Sequence, residues 1–159
     1  MSAPDRMSAT RRIAVPADVV FALITDPHGH VAIDGSGMLV APVDAEPVRA
    51  IGDTFVMDMD REPLGDLPLG RYQVLNTVTA FEDCAHLEWA VGGVGRTPIG
   101  HVYGYLLASV DGGATDVTSY CDWSGVSERF RAAMSWPVVP LASLERSLEN
   151  LEKAVTTRA

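Results

Sequence analysis

Apolar residues recur with two different periods along the chain, and the switch between the two divides it into elements. Residues 7–15 alternate, with Ile13 and Val15 apolar, as a first strand does. Val19, Val20, Leu23 and Ile24 then recur at helical spacing behind Pro16, whose fixed φ suits a helix start, and Pro27 is expected to end that helix. Residues 28–33 leave room for one more short helical turn before the turn cluster Asp34-Gly35-Ser36-Gly37. Period two takes over from there. Strands are expected over 38–43, 55–59, 72–81, 86–91, 101–110 and 114–123, with Glu82-Asp83 and Asp111-Gly112-Gly113 as tight turns. Residues 61–68, with two prolines and a glycine, read as a loop, and 92–100 as a glycine-rich connection.

The last stretch, 127–156, predicts a helix. Leu141, Leu144, Leu148, Leu151 and Val155 are spaced three, four, three and four apart, with Glu145, Arg146, Glu149, Glu152 and Lys153 between them for water. Pro137 and Pro140 remove backbone donors, so a kink or break is expected near 136–140. Six strands in succession, joined mostly by short turns, form a meander whose apolar face needs a cover, and the C-terminal helix is long enough to supply one. The predicted architecture is therefore α+β: a curved antiparallel sheet of about seven strands wrapped around a long C-terminal helix, with one or two short helices after the first strand. It occupies 7–159 as a single domain, behind a flexible N-terminal leader at 1–6. A curved sheet around one helix does not close tightly, which leaves a cavity suited to small molecules.

Alternation assigns that cavity its walls. Phe55, Met57 and Met59 share a face; so do Leu87, Trp89 and Val91; so do His101, Tyr103, Tyr105 and Leu107; and so do Val117, Ser119, Cys121 and Trp123. Phe130, Ala133 and Met134 oppose them from the helix. The predicted cavity lining is thus Phe55, Met57, Met59, Trp89, Tyr103, Tyr105, Cys121, Trp123, Phe130 and Met134. Aromatic rings and thioethers with a few hydroxyls suit a flat or flexible apolar ligand, while filling of a solid core is the competing account of the same residues.

Charge narrows the partners. Twelve Lys and Arg against 21 Asp and Glu give a formal net charge of −9, which repels phosphate backbones and anionic bilayers, so no nucleic acid partner is expected. The apolar runs fall well short of the ~20 residues that cross a bilayer. Residues 1–12 are polar without an apolar stretch of the kind a secretory signal carries, and a cytoplasmic location is expected.

Individual side chains offer weak chemistry. His101 beside Tyr103 and Tyr105 is the best general acid/base candidate, because imidazole titrates near neutrality and the phenols can orient a carbonyl. Asp34 suits either the cavity mouth or the capping of its own turn. His28 and His30 with Asp26 and Asp34 lack a third nearby histidine, so no metal and no other cofactor is expected. Gly92-Gly93-Val94-Gly95 leads to Pro98 and a strand rather than into a helix, so it is no dinucleotide loop, and no GxSxG nucleophile elbow occurs. Cys84 follows Glu82 and Asp83, whose carboxylates blunt its thiol, and Cys121 reads as a small core hydrophobe.

Several segments, in order, resemble one family. Val15-Pro16-Ala17-Asp18-Val19-Val20-Phe21 with Thr25-Asp26-Pro27, Ile51-Gly52-Asp53-Thr54-Phe55, Val78-Thr79-Ala80-Phe81-Glu82 with Leu87-Glu88-Trp89, the stretch 103–123 around Asp111-Gly112-Gly113-Ala114-Thr115, and Leu144-Glu145-Arg146-Ser147-Leu148-Glu149-Asn150-Leu151 are similar to the START-related, SRPBCC or polyketide cyclase/dehydrase superfamily over about residues 8–156. The resemblance implies a helix-grip, birch-pollen-allergen-like fold with a hydrophobic cavity. It leaves the chemistry open, since the superfamily contains lipid carriers, aromatase/cyclases, receptors and chaperone regulators.

Two functions from different classes follow. The first is binding of a small hydrophobic molecule (a lipid, isoprenoid, aromatic or polyketide-like compound) by a monomer or homodimer. The second is a cyclase or dehydratase in which His101 and the cavity tyrosines move protons at an enolisable carbon. A titratable group deep in the pocket is what separates them. A protein-interaction module is a third possibility and needs an exposed patch. Independently of function, the two cysteines lie on different strands in a fold that needs no staple, so thiol titration under denaturing, non-reducing conditions is expected to count two free thiols.

Overall fold

The structure, a computed structural model, describes residues 5–157. The elements run β1 (Arg6–Ile13), α1 (Ala17–Ile24), α2 (Pro27–Ile33), β2 (Leu39–Val43), β3 (Thr54–Asp60), β4 (Arg71–Glu82), β5 (His86–Gly93), β6 (Val102–Val110), β7 (Ala114–Asp122), α3 (Glu128–Ala133) and α4 (Leu141–Thr156). Of the predicted leader, residues 1–4 lie outside the described residues. Asp5 and Arg6 are held against β7: the Trp123 amide donates to the Asp5 carbonyl, and Arg6 stands opposite Asp122.

All seven strands form one antiparallel sheet in the order β1-β7-β6-β5-β4-β3-β2. Strands β2 to β7 are a plain meander, and β1 returns to pair with the last of them. Two bulges adjust the faces. The one in β4, between Val78 and Ala80, is decisive: strict alternation puts Val78 and Phe81 on opposite faces, and one extra residue lets both join the inner core.

The helices follow from local chemistry, with one difference from the predicted pattern and one expected break. Pro27 does not merely end α1; it is the first residue of α2, whose N-cap Asp26 accepts from the His28 amide at 3.0 Å. The helix over 127–156 breaks into two, as expected near 136–140, because residues 134–140 carry Pro137 and Pro140 and are not helical. Of these two helices, only α4 covers the sheet. It buries Leu144, Leu148, Leu151 and Val155 and leans on β1, β7, α1 and α2, whereas α3 buries no residue fully.

The main core combines these leucines with Ile13, Val20, Phe21, Ile24, Ile33, Val78, Leu87, Leu107 and Val117. A satellite cluster of Cys121, Trp123 and Val126, with Phe130 and Trp136 against it, lies beneath α3. Arg131 ties α3 down: Nη2 donates to the Trp123 carbonyl at 2.8 Å and pairs with Asp5 at 3.0 Å.

On the outer face, Gly104 of β6 makes room for the ring of Tyr120 on β7. The Tyr120 hydroxyl donates to Glu88 Oε2 at 2.5 Å and accepts from His86 Nε2 at 2.7 Å, and the Arg6 guanidinium stands 4.1 Å from the ring centre. Tyr120 is 1% exposed. A Cβ at position 104 falls 2.4 Å from the phenol. Gly104→Ala is therefore expected to displace a fully bonded ring and lower stability by about 1–3 kcal/mol in urea denaturation.

Candidate functional site

The space that α4 leaves uncovered is a cavity of about 330 Å³ between the sheet, α2, α4 and residues 134–140. That volume is at the lower end of the ~300–1,000 Å³ typical of small-molecule sites. The inner faces of β3 to β6 supply most of its wall: Met57 and Met59, then Tyr72, Val74 and Asn76, then Trp89 and Val91, then Tyr103 and Tyr105. Cross-strand register stacks the aromatics. Trp89 stands opposite Tyr103, their ring centres 6.3 Å apart, and Tyr105 is 6.1 Å from Trp89.

Of the residues singled out by alternation, Met57, Met59, Trp89, Tyr103, Tyr105 and Met134 line this cavity, together with His101. Four do not. Phe55 has the right parity but lies farther along β3, edge-on to His30 at 5.3 Å. Cys121, Trp123 and Phe130 belong to the satellite cluster under α3. Parity selects a face of the sheet; position along the strand decides whether a residue reaches the cavity or the packed ends.

The cavity has a polar end. Strands β3 and β5 finish there, while β4 and β6 begin there, so Arg61, Tyr72 and His101 meet at one edge of the sheet. Leu67 and Leu69 of the β3–β4 loop line the cavity, yet Leu69 is 52% exposed, which marks this end as the mouth. Arg61 is 4% exposed. Its Nε and Nη2 donate to the two carboxylate oxygens of Asp66 at 2.8 and 2.7 Å, and Nη1 donates weakly to the Tyr72 hydroxyl at 3.4 Å. This charge-assisted fork holds the guanidinium protonated. Sequence reasoning left Arg61 and Tyr72 out, because a lone arginine at the start of a loop carries no sign that it is buried.

His101, just before β6, sits 4.9 Å from the Trp136 ring and 5.6 Å from Tyr103, ring centre to ring centre. Its Nδ1 is sealed from solvent and has no hydrogen-bond partner among the described residues. Burial first, and the charge of Arg61 second, push its pKa down to about 4, so the ring is neutral at pH 7. Burial likewise raises the pKa of the Tyr103 and Tyr105 hydroxyls, which stay protonated and able to donate.

The far end is held differently. His30 donates through Nε2 to the Ile24 carbonyl at 2.6 Å and packs 4.7 Å from Trp89; burial keeps it neutral. Its neighbour His28 is exposed. Asp34 lines the cavity and also caps its turn, accepting from the Ser36 and Leu39 amides at 2.9 and 3.0 Å. Among the described residues no group of three or more His, Cys, Asp and Glu is placed to hold a metal ion. Gly92 lets residues 97–98 cross close to β5, a Cβ there falling 2.9 Å from Pro98, so the glycine-rich connection serves packing. Cys84 and Cys121 are free thiols. Burial and then Asp83 raise the Cys84 thiol, and burial pushes Cys121 up to about 12.

Comparison with known proteins places this architecture. No family model matches the chain. The uncharacterized protein Rv0088 of Mycobacterium tuberculosis is 29% identical over 120 residues, covering 76% of this chain and 48% of that protein. The chain thus spans about half the length of the curated relatives it matches. Protein Ms6760 from Mycobacterium smegmatis superposes with a TM-score of 0.68 at 16% identity, over 98% of this chain and 93% of that one. Norcoclaurine synthase from Thalictrum flavum, in complex with dopamine and hydroxybenzaldehyde, gives 0.65 at 12% identity, over 97% and 87%. The chain has the helix-grip fold. Within that fold, identities this low speak for architecture and not for chemistry. Among the described residues no helix of this helix-grip chain is long and apolar enough to cross a membrane.

The neutral His101 has a measurable signature. The unfolded chain takes up a proton on this imidazole near pH 6.5, whereas the folded chain resists until about pH 4. Stability is therefore complete above pH 6.5 and falls as pH drops toward 4, by about 2–3 kcal/mol from this group. Denaturant titrations at pH 7 and 4.5 are expected to show a smaller pH-dependent loss for His101→Phe than for the natural protein, with His30 supplying part of the remainder.

Proposed function

We propose that the chain binds a small, mainly apolar molecule in the cavity between sheet and α4. The observation that carries this reading is the 330 Å³ cavity itself, walled largely by apolar side chains such as Met57, Met59, Trp89 and Val91, with Arg61, Tyr72 and His101 at its mouth and Asp34 in its lining at the other end. Such a pocket suits an aromatic, polyketide-like, isoprenoid or short lipid body with one oxygen-bearing terminus. The fold relative that holds dopamine and hydroxybenzaldehyde supports a flat aromatic occupant. Free thiols at Cys84 and Cys121 support action in a reducing compartment such as the cytoplasm, by a monomer or homodimer.

A second reading is favoured by one observation: His101 is a neutral, deeply buried imidazole 5.6 Å, ring centre to ring centre, from the protonated phenol of Tyr103, with Tyr105 farther along the same wall. That set fits proton transfer at an enolisable carbon, as in a cyclase or dehydratase. Mass spectrometry of small molecules extracted from the purified protein addresses both readings. A compound returned unchanged after incubation fits a binder, and one released as an isomer or dehydrated product fits the enzyme. In solution, the neutral dye N-phenyl-1-naphthylamine is expected to brighten on binding, and Val91→Trp, which fills the cavity from β5, is expected to weaken it about tenfold or more by fluorescence titration. Equal binding by the filled variant removes the cavity as the site.

A further inference from the structure

We propose that the polar end of the cavity is a receptor for an acidic oxygen, so that the ligand is an apolar molecule ending in a carboxylate or a comparably acidic enol, held by Arg61 with Tyr72 and Tyr103. The proposal rests on the binding function argued above and names the chemical class of its ligand.

The argument starts from the hydrogen bonds of Arg61. A guanidinium has five N–H donors. Two go to Asp66 and one, long at 3.4 Å, to Tyr72, so each nitrogen has one partner and two N–H groups have none among the described residues, on a side chain that is 5% exposed and lines the cavity. A buried donor without an acceptor is costly, and an incoming oxygen relieves that cost. The neighbouring groups favour an acceptor as well. Tyr72 and Tyr103 are phenols on the same wall, and both can donate. His101 is neutral there and adds no competing positive charge that a second carboxylate has to balance.

Asp66 sets the strength of the receptor. Its carboxylate is 35% exposed, against 5% for Arg61, so water screens the anion while the cation faces the dry side. A ligand carboxylate within the cavity therefore meets Arg61 at close range and Asp66 through a screened path. The body of the ligand then lies along Trp89, Met57 and Met59. An alcohol or ester of the same shape keeps that apolar contact and loses the charge-assisted bond.

The test compares 2-naphthoic acid with 2-naphthylmethanol as competitors of bound N-phenyl-1-naphthylamine at pH 7.5, on the full chain. The acid is expected to displace the dye at about tenfold lower concentration than the alcohol. Arg61→Gln is expected to bring the two competitors together while the dye still binds. Asp66→Asn, which leaves Arg61 without its counter-ion, is expected to widen the gap beyond that of the natural protein. Equal displacement by acid and alcohol overturns the acidic-ligand proposal and leaves the cavity reading standing, whereas failure of the dye to bind overturns both. Should Arg61→Gln not fold, Asp66→Asn decides alone: an unchanged ratio there assigns Arg61 a purely structural role and overturns the proposal.

Discussion

One helix cannot cover seven strands. Helix α4 leans on β1 and β7 at one side of the sheet and seals that half with Leu144, Leu148, Leu151 and Val155. The inner faces of β3 to β5 meet the short helices α1 and α2 at Phe81, Phe55 and Trp89, through Phe21 and His30, and their large side chains close over the remaining gap only in part. The cavity is the remainder of an incomplete cover. Its apolar wall follows from the same alternation that makes the sheet amphipathic, so no separate device is needed to create a place for a small molecule.

Against that apolar background the charged and polar groups at the mouth stand out energetically. A guanidinium almost fully removed from water persists because Asp66 meets it with a bidentate fork across a short loop. Its field and the loss of hydration then act together on His101, which folds neutral. The two effects are linked by topology: β3 ends where β6 begins, so a loop residue and a strand-start residue come to share one low-dielectric corner.

Much of this was legible in the chain and part was not, for physical reasons that differ by residue. The leucine spacing from Leu141 to Val155 specified α4, and Asp111-Gly112-Gly113 marked the β6–β7 hairpin, because periodicity and turn chemistry are local properties. Residues 134–140 announced themselves through Pro137 and Pro140, which stop a helix wherever they fall. The β4 bulge was hidden, since an inserted residue leaves no compositional mark. Trp123 shows the limit of parity reasoning: it is inward and aromatic, yet α3 folds over it and packs Phe130 against it in a separate cluster. Arg61 shows the opposite failure, a charged loop residue that the fold draws inside. Burial is a property of the assembled surface and cannot be read from one position.

The phenol of Tyr120 has a mechanical consequence for the cavity on the other side of the sheet. By bonding to Glu88 and His86 across Gly104 it clamps β5, β6 and β7 together. The strand it crosses carries Tyr103 and Tyr105, so the aromatic wall of the cavity is backed by a stiff plate. The opposite boundary is made by α2, α4, the β3–β4 loop and residues 134–140, of which the last two are not regular structure. A guest of the wrong size is accommodated by those segments and not by the sheet. On the binding function proposed above, the sheet is the fixed side of the site and these two irregular segments are the side free to adjust to the length of a guest.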